Sequence, residues 1–78
     1  MVEPVKLVRL GETVDEVVII EWLVNVGSRV AQGDALVRVE TDKVEVDVVA
    51  PRDGTVTELL VQEGDEVRTG ESICMLDG

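Results

Sequence analysis

Lys43 is one of only two lysines in the chain; the other five cations are arginines. It stands in the run Val39-Glu-Thr-Asp-Lys-Val-Glu-Val-Asp-Val-Val-Ala-Pro51, among the acidic residues Glu40, Asp42, Glu45 and Asp47. A primary amine can be acylated, whereas a guanidinium resists it, so the residue type matters. Taken alone, such a lysine also reads as a solvated turn residue that balances local charge. Other reactive groups are scarce. Cys74 lies in the apolar run Ile73-Cys-Met-Leu76, where a free thiol behaves as a small hydrophobe. The charges near it are acidic, the opposite of what activates a thiolate. The four acids around Lys43 lack the glycine-turned twelve-residue pattern of a calcium loop, so no metal site is expected. Histidine is absent, which removes imidazole ligands and imidazole bases alike. Paired carboxylates need a desolvating cleft to act as acid and base, and a chain of this size offers none. The chemistry points to an acceptor amine, and a non-catalytic protein is expected.

The elements that hold this amine follow from composition. Seventy-eight residues make one domain, residues 1–78, with no room for a second core. Valine supplies 18 residues and alanine three. β-branched side chains lose rotamer freedom in helices and pack well on pleated sheets, so an all-β fold is expected. Seventeen acids against seven bases give a net charge of −10. That argues against nucleic acid and anionic membranes as partners, since both demand clustered positive charge. No apolar run approaches the ~20 residues that span a bilayer. The opening residues carry neither a signal peptide's apolar stretch nor a transit peptide's bias, and a single cysteine forms no internal disulfide.

The chain contains itself twice. Shifted by 37 residues, Glu21-Trp-Leu-Val-Asn-Val-Gly27 lies over Glu58-Leu-Leu-Val-Gln-Glu-Gly64, and Gly33 lies over Gly70. Two repeats are too few for a solenoid. They suit two half-sheets related by an approximate two-fold axis, closing on each other into a closed or nearly closed sandwich that hides strand edges. Eight strands are predicted, over residues 5–10, 17–24, 29–30, 35–40, 44–50, 54–61, 66–68 and 72–76. In the fifth, Val44, Val46 and Val48 should face one way, and Glu45 and Asp47 the other. The seam between the repeats falls at Thr41-Asp42-Lys43, a short turn between two strands. A two-fold axis places that hairpin opposite the point where the chain ends meet. The loop of Gly11, Glu12, Thr13, Val14, Asp15 and Glu16 should then lie beside the hairpin tip. Trp22, the sole aromatic, reads as a packing residue.

Three features together resemble a known family. They are Glu40-Thr-Asp-Lys-Val44, the downstream Ala50-Pro-x-x-Gly54-Thr-Val56, and the upstream Gly27-x-x-Val30-x-x-Gly33. Gly11-Glu12 and Glu21-Trp22 match as well. The sequence resembles the lipoyl domain of 2-oxo acid dehydrogenase complexes, over residues 5–76. The resemblance implies a flattened barrel of two four-stranded antiparallel sheets, with Lys43 carrying lipoic acid in amide linkage. It further implies that Glu40, Asp42 and Val44 help a lipoyl ligase or transferase recognise the lysine, and that the loop of residues 11–16 contributes to recognition by a thiamin-dependent decarboxylase. An acyltransferase core and dihydrolipoyl dehydrogenase would be the other partners. The isolated domain would be monomeric, in the bacterial cytoplasm or a mitochondrial matrix.

The biotin carboxyl carriers share that fold, but their lysine usually lies between two methionines. Here its flanks are Asp42 and Val44, while Met1 and Met75 are elsewhere. Biotin carriage is the alternative, and an unmodified interaction module a further one.

Overall fold

The computed structural model describes residues 1–8 and 15–78. Its eight strands are β1 (Val2–Lys6), β2 (Glu16–Trp22), β3 (Arg29–Val30), β4 (Ala35–Glu40), β5 (Glu45–Val49), β6 (Gly54–Leu59), β7 (Glu66–Arg68) and β8 (Ser72–Asp77). They form two four-stranded antiparallel sheets, in the orders β1-β8-β6-β3 and β5-β4-β2-β7. Advancing every strand of the first sheet by four places, cyclically, turns it into the second. The repeat in the sequence is therefore a two-fold repeat in space.

The hydrogen bonds repeat with it. Gly27 N–H donates to the Val56 carbonyl and Gly64 N–H to the Ile19 carbonyl, each at 2.7 Å. Each bond crosses from one half to the other, so neither half completes its turns alone. The two glycines have φ of 95° and 92°, a left-handed conformation that costs any residue with a Cβ. Gly33 and Gly70 match in the same way, with φ of 92° and 94°. Side chains also recur: Ser28 Oγ accepts from Asn25 N–H at 3.0 Å, and the equivalent Asp65 carboxylate from Gln62 N–H at 2.8 Å.

Between the sheets lies an apolar core that includes Val17, Ile19, Leu36, Val39, Val56, Val67, Ile73 and Leu76. Among the described residues no polar or charged side chain is buried. Extra residues in two strands explain how consecutive side chains both face inward. Ala35 pairs with Val49 and Val37 with Val48, so Leu36 is a bulge. Ile73 occupies the same position in β8. Cys74 is thus the counterpart of Val37, and both are fully buried. Burial pushes the thiol up to about 11 from its ordinary 9.0, in keeping with a small hydrophobe.

Two expectations need correction. The first strand runs from Val2 to Lys6, against the expected 5–10, of which residues 9 and 10 lie outside the described residues. It contains Pro4, which a strand tolerates because β1 is a sheet edge. The fifth strand keeps its alternation at Val46 and Val48, which face inward, but starts at Glu45. Val44 belongs to the turn and is 57% exposed.

Candidate functional site

Strands β4 and β5 end in step, with Glu40 opposite Glu45. Thr41 and Val44 close the hairpin, leaving Asp42 and Lys43 as its two-residue tip. Thr41 N–H donates to the Val44 carbonyl at 2.8 Å. The Thr41 hydroxyl donates to the same carbonyl at 2.9 Å and accepts from Val44 N–H at 3.1 Å and Lys43 N–H at 3.3 Å. Asp42, Lys43, Val44, Glu40 and Glu45 are all exposed. Among the described residues, the open recess beside the tip is lined by Glu40, Thr41, Asp42, Lys43, Val44 and Glu45, all of the hairpin itself.

The amine of Lys43 makes no hydrogen bond or ion pair among the described residues, whereas Arg38, Arg52 and Arg68 are paired with Asp47, Glu3 and Glu16. Of the four acids near Lys43 in sequence, Asp47 is thus engaged at 3.2 Å by Arg38. Glu40, Asp42 and Glu45 make no ion pair among the described residues.

The amine and the chain ends occupy opposite poles of a molecule 33 Å long. β5 leaves the tip at Glu45 and runs to Ala50, whose backbone bonds Gly33 and Asp34. Those residues adjoin the Val30–Gly54 pair, and a Cβ on Gly54 would stand 3.1 Å from the Asp77 carbonyl. At that pole the N-terminal ammonium lies 3.4 Å from the Asp77 carboxylate. The five residues of β5 cover roughly 16 Å of that distance.

Strand β2 starts at the lysine pole, since Val18 pairs with Glu40, the last residue of β4. Glu16 extends beyond it and is held by Arg68 at 3.4 Å, and Thr69 N–H donates to the Asp15 carbonyl at 2.9 Å. The end of the expected recognition loop therefore emerges beside the hairpin. Gly11, Glu12, Thr13 and Val14 lie outside the described residues. In length, the first half has six more residues here than the second, by the shift in repeat register from 37 (Ile19 to Val56) to 43 (Leu7 to Ala50).

Thr41 is the site residue that sequence reasoning missed. The signal was present: a threonine immediately before a two-residue tip that contains no glycine. Trp22, by contrast, packs against the core as expected, and its indole N–H donates to the Val61 carbonyl at 2.9 Å.

The apex of the duplicated β-sandwich thus presents an exposed amine with no partner among the described residues. Comparison with known proteins gives the family. The family described as "Biotin-requiring enzyme" matches residues 3–76. A succinyltransferase component of the 2-oxoglutarate dehydrogenase complex of Staphylococcus saprophyticus is 46% identical over 72 residues, covering 92% of this chain and 17% of the relative. The lipoamide acyltransferase component of the branched-chain alpha-keto acid dehydrogenase complex of Bacillus subtilis is 40% identical over 76 residues, covering 97% and 18%. Among solved structures, the lipoyl domain of the 2-oxoglutarate dehydrogenase complex from Azotobacter vinelandii superposes with a TM-score of 0.74 at 31% identity, covering 96% of this chain and 95% of that one. Kluyveromyces lactis urea carboxylase shares the fold, with a TM-score of 0.82 at 23% identity, covering 99% of this chain and 6% of that one. The chain belongs to the biotinyl/lipoyl attachment family, as a lipoyl domain. It spans under a fifth of the length of the acyltransferase components it matches.

Proposed function

We propose that residues 1–78 form one carrier domain in which Lys43 bears lipoate as an amide. The observation that carries this reading is the unpartnered Lys43 amine on a two-residue tip, far from the chain ends. The residues present fit the group. The tip is exposed, the amine has no competing partner among the described residues, and its flanks are Asp42 and Val44. Both methionines lie away from the tip, Met75 in β8 of the other sheet and Met1 beside Asp77 at the far pole, which favours lipoate over biotin.

Bound there, lipoate supplies a dithiolane that takes up acyl groups and reducing equivalents. The protein supplies reach and address. Lysine plus lipoyl chain comprises about ten bonds of ~1.5 Å, a reach of roughly 14 Å from the backbone. A domain-borne arm is held at high local concentration near the sites it serves. By the relatives' names, those sites belong to a 2-oxo acid dehydrogenase complex; the proposed partners are a thiamin-dependent decarboxylase, an acyltransferase core and dihydrolipoyl dehydrogenase. Glu40, Asp42 and Val44 are proposed to contact the modifying ligase or transferase, and the loop of residues 11–16 the decarboxylase. The bacterial relatives are consistent with a bacterial cytoplasmic setting.

The test is intact-protein mass after incubation with ATP, lipoate and a lipoate ligase. One lipoyl increment on the wild type and none on Lys43→Arg is expected; an increment on the arginine variant would refute the site. A parallel reaction with biotin and a biotin ligase should leave the mass unchanged.

A further inference from the structure

We propose that Thr41 is a positioning residue for modification of Lys43, acting by locking the hairpin tip; this rests on the assignment of Lys43 above. The need for a lock follows from backbone geometry. A two-residue hairpin loop normally uses a turn with positive φ at one or both tip positions, which is why glycine and asparagine dominate there. The tip here is Asp42-Lys43, and among the described residues no non-glycine residue has positive φ. The usual turn is therefore not used, and the amide hydrogens of Lys43 and Val44 need another acceptor.

Thr41 provides it. A hydroxyl has one donor and two acceptor positions, and all three are used: the donor on the Val44 carbonyl, the acceptors on Val44 N–H and Lys43 N–H. In a glycine-free tip the side chain thus takes over the role of the turn's own backbone bond. Its effect falls on the residue that must be presented. With the Lys43 amide bonded, the Cα–Cβ direction of Lys43 is constrained, and the flexible side chain starts from one backbone orientation at the apex.

Presentation matters because ligation joins Nζ of the deprotonated amine to the carboxyl carbon of lipoyl adenylate. The amide forms as AMP departs, and the ammonium proton passes to solvent. Nζ must therefore reach one carbon inside the ligase. A tip that samples several orientations lowers the fraction of encounters that succeed.

The experiment compares wild type, Thr41→Val and Thr41→Ser. Valine keeps the β-branched shape suited to the end of a strand and removes only the hydroxyl; serine restores it. Two quantities are read: amide hydrogen exchange at Lys43 and Val44, and the initial rate of lipoylation by a lipoate ligase with ATP and lipoate, from intact mass. Losing hydrogen bonds of this kind should raise exchange and lower kcat/KM roughly tenfold in Thr41→Val. Thr41→Ser should recover both, and the thermal midpoint should hardly move because the tip is exposed. Unchanged exchange, or wild-type ligation of Thr41→Val, would overturn the proposal while leaving Lys43 as the acceptor. No modification of the wild type would instead remove the assignment of Lys43 on which it stands.

Discussion

The indole of Trp22 in the first half donates its N–H to the carbonyl of Val61 in the second, at 2.9 Å. One side chain thus fastens the two repeats together near the end of β2. Its equivalent in the second half is Leu59, which has no such donor, so the tie is made once. Trp22→Phe keeps most of the apolar contact and loses the bond, leaving a half-buried carbonyl without its donor. Urea unfolding followed by circular dichroism should show a loss of about 1–2 kcal/mol.

The buried thiol makes a prediction about alkaline stability. Cys74 keeps its proton to about pH 11 in the folded protein, against 9.0 when unfolded. Above pH 9 the unfolded chain therefore binds fewer protons than the folded one, and stability falls as pH rises from about 9 to about 11. The loss should be on the order of 2 kcal/mol. Cys74→Ala should flatten that portion of the profile, at the cost of some packing. Native protein at pH 8 should also resist thiol reagents until it is unfolded.

Gly27 and Gly64 test the repeat energetically. A Cβ added at either site meets nothing within 4 Å, so alanine there would suffer from backbone angle alone. Each substitution should cost about 1–2 kcal/mol. The two costs should agree, because both turns bond across the same seam. Gly54→Ala fails for another reason, since its Cβ would press on the Asp77 carbonyl at 3.1 Å. It should loosen the β6–β8 pairing and expose the amides of β8 to exchange.

Charge at the lysine pole should govern encounter more than residence. Glu40→Gln and Asp42→Asn remove exposed carboxylates that make no ion pair among the described residues. If a basic cleft is steered to the tip, each substitution lowers the association rate with a lipoate ligase and flattens its dependence on salt. Stopped-flow association across ionic strength reads both. Asp47→Asn should have the smaller effect, since Arg38 already offsets that charge.

Much of this was legible in the sequence because the fold is written twice. A glycine whose partner recurs 37 residues later marks a turn, and β-branched alternation marks strands; β3, β4 and β7 match their expected bounds. The discrepancies have physical causes. Val44 continues the alternating pattern but lies past the last ladder pair, so it turns to solvent. β1 starts earlier than expected, at Val2, and admits Pro4 because an edge strand has one row of amides with no ladder to join. Thr41 was overlooked because its role lies in a hydroxyl bonded to the next turn of chain, which no hydrophobic period reports. The lysine itself stood out by type and by position at the seam.

The side-by-side chain ends have a further consequence. Met1 and Gly78 meet through a 3.4 Å backbone contact, so any flanking polypeptide would enter and leave this unit at a single junction. Such a unit hangs from its backbone like a pendant. Tension along the flanking chain would pull first on β1 and β8, which are neighbours in one sheet, at the pole remote from the hairpin that joins β4 to β5 in the other.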